Sequence, residues 1–335
     1  MKNVPYGVIF SCKGIYLTKK EILFFEQTYP LGYVLFKRNF KNFVQLKKLI
    51  QNLKTVSKNK NALIFIDQEG GRVQRLRDDF FKKIPSQNFF EDIYHENSNK
   101  AIKYAEYCSS FIGLQLKQVG IDVNFSPVLD LNIKYANNII GDRSFSYNPR
   151  IVSDLGAAYC KGLKRSGIIP VPKHFPGHGR SKFDSHKKLP RINIPLEDLL
   201  KNDLIPFIKC NNEIFIMVAH IVYSKIDNVV ATYSKKIIDG LLIKNLKFRG
   251  LVISDDLSMK ALKGSMKLRT IKTYDSGCDI ILYCMGELND MMEIYENARE
   301  IKQKKYNYLT KFRENLKTKT FKNNISINKF LFKDE

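Results

Sequence analysis

Apolar residues in this chain come in short, unbroken runs separated by polar or Gly/Pro residues. The candidate strands are VPYGVIF (4–10), GYVLF (32–36), ALIFID (62–67) and IDVNFSPV (121–128), then GIIPVPK (167–173), EIFIMVA (213–219), GLVIS (250–254) and CDIILY (278–283). Runs that are continuous rather than alternating are the mark of parallel strands buried on both faces. Between them lie amphipathic stretches such as AIKYAEYCSSFIGLQLKQV (101–119), apolar near helical spacing. About eight strand–helix units in a chain longer than the ~250 residues typical of the fold predict an α/β protein, a single-domain (β/α)8 TIM-type barrel. A doubly wound open sheet is the structural rival, although no GxGxxG follows the first strand to support a dinucleotide-binding version. The whole chain, 1–335, is expected to be one catalytic domain, with the barrel over about 4–300 and a basic, helical extension over 301–335.

The residues just after those runs are ionisable. Asp67 follows LIFI, Asp130 closes SPVLD, Lys173 and His174 follow IIPV, His220 follows IFIMVA, and Asp255 follows LVIS. In a barrel the C-terminal ends of the strands converge on one mouth, where active sites sit. One polar strand end is unremarkable; five make a site hypothesis.

Charge changes this picture little. Lys+Arg number 56 against 33 Asp+Glu, a formal charge of +23, yet only 13 of the 56 are arginine. Lysines spread along the chain describe solvated faces, whereas a nucleic-acid reader concentrates Arg and exposed aromatics in one element. No partner nucleic acid is expected. The six cysteines form no CxxC pair, which suits free thiols in a reducing compartment. The opening MKNVPYGVIFSC has a lysine, an apolar run and a cysteine reminiscent of a lipoprotein cleavage site, but Pro5 and Gly7 interrupt the run. No run of ~18 apolar residues would span a bilayer. A cytoplasmic monomer without membrane association is expected.

One loop gathers the histidines. KHFPGHGRSKFDSHKKLP (173–190) holds His174, His178 and His186, three of the chain's five, together with Asp184. Residue types alone leave metal ligation and acid–base chemistry both open. The four- and eight-residue spacings along a Gly/Pro loop match no standard zinc pattern, and a histidine near its ordinary pKa of ~6.5 can exchange protons at neutrality. A carboxylate two residues away can hold one tautomer and stabilise the imidazolium.

DQEGGRVQRL (67–76), GDRSF (141–145), KHFPGHG…DSH (173–186) and SDDLSM (254–259), in that order, closely resemble the single-domain bacterial β-N-acetylglucosaminidases of glycoside hydrolase family 3, the cell-wall recycling kind. MVAHIVYSKID (217–227) is similar to that family's sixth-strand segment. The resemblance runs from about 4 to 300. It implies a retaining exo-glycosidase that frees terminal GlcNAc from muropeptides, GlcNAc linked to 1,6-anhydro-N-acetylmuramic acid with or without peptide. By that resemblance Asp255 is the nucleophile, His186 the general acid/base and Asp184 its assistant. Asp67, Arg75, Arg143, Lys173 and His174 bind the sugar, and no metal or cofactor is required.

Other expectations follow from the same residues. Glu69 and Arg72 belong to an ion-pair network bracing the barrel top, and Asp256 caps the next helix. His178 shapes the loop, Gly177 and Gly179 give it freedom, His220 lines the pocket, and His95 is a surface residue. After SDDLSM the chain departs from the family with KALKGSMKLR (260–269), which bears on aglycone preference. Rival readings are a family-related phosphorylase using phosphate as acceptor, a metal-dependent hydrolase built on the loop histidines, and a basic nucleic-acid-binding protein.

Overall fold

The computed structural model describes residues 4–134, 136–181, 183 and 189–316. Eight parallel strands form one sheet: β1 Tyr6–Phe10, β2 Pro30–Leu35, β3 Leu63–Ile66, β4 Val123–Asn124, β5 Ile169–Pro170, β6 Phe215–Val218, β7 Leu251–Asp256 and β8 Ile280–Leu282. Their spatial order is β5-β4-β3-β2-β1-β8-β7-β6. The last seam closes just beyond β5: Phe175 N–H donates to Met217 O at 2.8 Å, Ala219 N–H donates to Phe175 O at 2.9 Å, and Phe175 bridges Val218 in parallel. Closure makes this a (β/α)8 barrel and removes the open-sheet rival. Each of the eight apolar runs supplies one barrel strand.

The unbroken apolar runs are explained by two cores. Leu63 and Phe65 of β3, and Leu251 and Ile253 of β7, face one core, while Ile64, Ile66 and Val252 face the other. Phe65 lies 6.1 Å from Phe215, ring to ring. Strands β3 and β6 are not neighbours, so that contact crosses the barrel interior. The first core is therefore the barrel's filling, and the second lies between strands and helices.

The helices start where the sequence caps them. In the Ser98–Val119 helix Asn97 accepts the Lys100 N–H at 3.0 Å, and Gly120 ends it at φ 94°. The Gln303–Asn315 helix sends Leu309, 1% exposed, into the interior core beside Val4, Leu31 and Ile214. It plugs the barrel floor opposite the mouth. Residues 317–335 of the basic extension lie outside the described residues.

Candidate active site

Three of the candidate residues reach the mouth by one rule. Side chains along a strand alternate with period two. Leu63 and Phe65 point inward, as do Ile169 and Val171, and Leu251 and Ile253. The next inward positions are Asp67, Lys173 and Asp255. All three line a cavity of about 380 Å³, together with Glu69, Arg75, Arg143 and His174. His220 falls out of phase, because Phe215 and Met217 face inward while Ile216 and Val218, the positions in register with it, face the helices. It is fully buried and does not line the cavity. Its Nε2 donates to the Asp256 carbonyl at 3.0 Å, and its Nδ1 meets the Thr232 hydroxyl at 2.6 Å. The pocket role expected for His220 is thus corrected: it staples β6 to the end of β7.

The segment after β3 folds back on itself. Gln68–Gly70 pairs antiparallel with Val73–Gln74 through Gly70 and Gly71, both at positive φ. The Gln68 side chain locks this hairpin, accepting the N–H groups of Arg75 and Leu76 at 2.8 and 3.1 Å. Asp67, Glu69 and Arg75 are thereby set around Lys173. The Lys173 ammonium, 2% exposed, lies 2.7 Å from Asp67 Oδ1 and 2.6 Å from Glu69 Oε1. Arg75 adds a 3.2 Å bond to Asp67 Oδ2 and lies over the Phe36 ring, with its centre 5.6 Å from the centroid. Arg143 grips Glu69 through two parallel bonds of 2.8 Å. Arg143 therefore both lines the cavity and braces it. Arg72 also lines the cavity and is held there by Asp142 at 2.6 Å and by the carbonyls of Asn138, Ile139 and Ile140. The bracing expected of Glu69 and Arg72 is what the structure shows.

Burial pushes the Asp67 carboxyl up, but Lys173 and then Arg75 outweigh it and hold it below the usual carboxylate range. Glu69 is likewise raised by burial and then lowered by Arg143 and Lys173, from 4.5 to about 2. Because the folded value lies below the unfolded one, the stabilisation is complete above about 4.5 and lost as pH falls toward 2. A gap of that size is worth on the order of 3 kcal/mol. Glu69→Gln should therefore be destabilised relative to wild type at pH 7, with the difference shrinking as pH falls from 4.5 toward 2. Urea midpoints at pH 7, 4 and 3 read this, and a pH-independent gap would disprove it.

A buried carboxylate organises the start of the histidine loop. Asp130 accepts the backbone N–H groups of His174 and His178 at 3.1 and 2.6 Å, and its Oδ2 lies 2.6 Å from His174 Nδ1. Burial raises the Asp130 carboxyl, but the adjoining His174 and the bonds it accepts bring it below its ordinary value. His178 is buried as expected of a loop-shaping residue, and burial lowers it to about 4. Gly177 and Gly179 each answer a local demand for a residue without a Cβ. Gly177 sits at φ 130°, and a Cβ on Gly179 would lie 1.8 Å from the Leu131 carbonyl oxygen. Arg180, paired with Asp203 at 2.9 Å, fixes this stretch from the other side. Asp184 and His186, with Ser185, lie outside the described residues.

The two neighbouring aspartates divide. Asp255 faces the cavity, and its Oδ1 accepts the Asp256 N–H at 2.8 Å. The Asp256 carboxylate is occupied by the Ser258 N–H and hydroxyl and by the Cys284 N–H at 3.1 Å. It does not cap the next helix, Met266–Asp275, whose cap is Ser265. Asp256 instead ties the ends of β7 and β8 together, and burial raises its carboxyl.

Residue-type reasoning passed over Asp130 as an organiser and also the apolar side of the cavity, Phe36, Phe125, Met217, Leu282 and Cys284. The only local signal for Asp130 was its place at the end of SPVLD. Among the described residues no three His, Cys, Asp or Glu side chains converge as a metal-ligand set. No described helix is long and apolar enough to cross a membrane. The six cysteines are unpaired.

A closed parallel barrel delivering carboxylates, cations and a histidine from several strand ends into one cavity is the architecture of a barrel enzyme. Residues 20–312 match the glycosyl hydrolase family 3 N terminal domain, and the chain belongs to that family. A β-hexosaminidase of Haemophilus influenzae is 34% identical over 298 residues, 88% of this chain and 83% of that protein. One of Neisseria gonorrhoeae is 37% identical over 277 residues, 79% of this chain and 76% of that protein. The crystal structure of NagZ from N. gonorrhoeae in complex with N-trifluoroacetyl-D-glucosamine aligns with a TM-score of 0.86 at 32% identity, over 93% of this chain and 91% of that one. The chain is a glycosidase.

Proposed function

We propose that the chain is a retaining exo-β-N-acetylglucosaminidase that releases terminal, non-reducing GlcNAc from peptidoglycan fragments, serving cell-wall recycling in the cytoplasm. The observation that carries this reading is the inward register of Asp67, Lys173 and Asp255, which puts a carboxylate opposite a hydrogen-bonding cradle in one cavity. Its likeness to NagZ bound to N-trifluoroacetyl-D-glucosamine supports the sugar's identity.

In this scheme Asp255 attacks the anomeric carbon as the bond from that carbon to the aglycone oxygen breaks. His186 gives its proton to that oxygen. Water then attacks the same carbon, His186 takes a proton from it, and the bond to Asp255 breaks with overall retention. Asp184 holds the His186 imidazole in one tautomer. Asp67 and Glu69 stay ionised as acceptors, while Lys173 and Arg75 donate to sugar hydroxyls.

The test is product analysis with p-nitrophenyl N-acetyl-β-glucosaminide and with GlcNAc-1,6-anhydro-N-acetylmuramic acid. Free GlcNAc is expected from both, unchanged by inorganic phosphate. GlcNAc-1-phosphate would convert the reading to phosphorolysis, and no release from either would end it. His186→Ala should slow turnover of the disaccharide by roughly 10²–10⁴-fold, the span of general acid–base catalysis. The loss should be smaller in the first step with p-nitrophenol, which leaves without a proton. Equal loss in that step for both leaving groups would remove His186 from the acid role.

A further inference from the structure

Asp130 is fully buried and does not line the cavity, yet groups that shape the cavity converge on its carboxylate. Oδ1 accepts the His174 N–H at 3.1 Å and the His178 N–H at 2.6 Å, and Oδ2 lies 2.6 Å from His174 Nδ1. An ionised carboxylate only accepts hydrogen bonds. The proton between Asp130 and His174 therefore sits on Nδ1, the arrangement that in the Nδ1–H tautomer leaves the lone pair on Nε2. His174 lines the cavity. The donors already there, Lys173, Arg75 and Arg143, can meet a sugar's oxygens but cannot receive its hydroxyl protons. The carboxylates of Asp67 and Glu69 in the same cavity are engaged by these cations, and an unprotonated Nε2 would add an uncharged acceptor beside them.

We propose that Asp130 is a positioning residue: it fixes His174 in the Nδ1–H tautomer, so that Nε2 accepts a hydroxyl proton from the bound sugar. The same carboxylate sets the path of the chain from His174 to Ser181. Its hold on the His178 N–H ties the sugar-facing histidine to the backbone four residues further on. The proposal rests on the sugar-binding reading of the cavity, but its first readout does not.

Uniformly ¹⁵N-histidine-labelled protein has five imidazoles, and His174→Gln assigns the one in question. In the wild type at pH 7.5, His174 should show a protonated Nδ1 and an unprotonated Nε2. A proton on Nε2, in either the neutral or the charged ring, overturns the proposal without any turnover measurement. In Asp130→Asn the side-chain amide presents a donor to Nδ1 and should drive the proton to Nε2. That variant should raise KM for p-nitrophenyl N-acetyl-β-glucosaminide by roughly 10- to 100-fold, the effect of losing one charge-assisted or buried hydrogen bond, with a smaller change in kcat. A purely structural role would lower the melting temperature and reduce kcat without moving the proton. An Asp130→Asn protein with an unchanged tautomer, or with KM within twofold of wild type, sinks the idea. A wild type that shows the Nδ1–H tautomer but releases no sugar would instead indict the functional reading.

Discussion

Replacing Asp255 by alanine is expected to lower kcat on p-nitrophenyl N-acetyl-β-glucosaminide by at least ~10⁴-fold, as removal of a covalent nucleophile does. KM and the melting temperature should stay near wild type. Asp255 continues the inward register of Leu251 and Ile253, so its carboxylate meets the cavity rather than the core. Its Oδ1 bond to the next residue's N–H, 2.8 Å long, is local. Asp256→Ala provides the contrast. That carboxylate holds Ser258 and the Cys284 N–H, so its loss should fall mainly on stability. Azide separates the possible meanings of an inactive Asp255→Ala. A small anion can enter the space the carboxylate leaves, form a nitrogen–carbon bond at the anomeric centre, and expel p-nitrophenolate. Attack from that face yields the α-glycosyl azide. Should the product be the β-azide, or the variant keep a tenth of wild-type activity, Asp255 is not the nucleophile.

The strand ends show why some of this was legible in the sequence and some was not. An unbroken run such as LIFID announces a buried parallel strand, and period two then says which of the next residues points inward. That arithmetic selects Asp67, Lys173 and Asp255, and it rejects His220, which sits one position out of phase. Partners are another matter. Lys173 meets Asp67, 106 positions earlier, and His174 meets Asp130, 44 positions earlier. Nothing local encodes such a pairing, because it depends on strand order and on the hairpin that returns Arg75 to the mouth. The glycines of PGHG show a related limit. Gly and Pro signal a loop, but only the Leu131 carbonyl pressed against Gly179 shows that packing demands the missing side chain. The floor helix reads as a basic stretch until Leu309 is seen filling the barrel end.

The largest stability effect should come from Lys173→Met. The ammonium is 2% exposed and lies between two carboxylates, so its removal leaves Asp67 with Arg75 alone and Glu69 with Arg143 alone. Breaking a buried pair by deleting one partner costs about 3–5 kcal/mol, because the other charge stays buried. At ~2.1 cal/mol/K of unfolding entropy per residue, that is a fall of roughly 4–7 °C in Tm for a chain of this length. Methionine fills much of the lysine's volume, so a cavity contributes little to the loss. The attribution to charge is checked by adding Glu69→Gln, which removes one of the stranded carboxylates. The double variant should be less destabilised than the sum of the singles by at least ~1 kcal/mol, as residues in one network behave. Additive losses would mean that Lys173 acts through packing. Lys173→Arg keeps the charge but forces a planar fork into a site shaped for a compact ammonium. It should recover part of the stability and little of the turnover, which separates holding the barrel mouth together from presenting one N–H to the sugar.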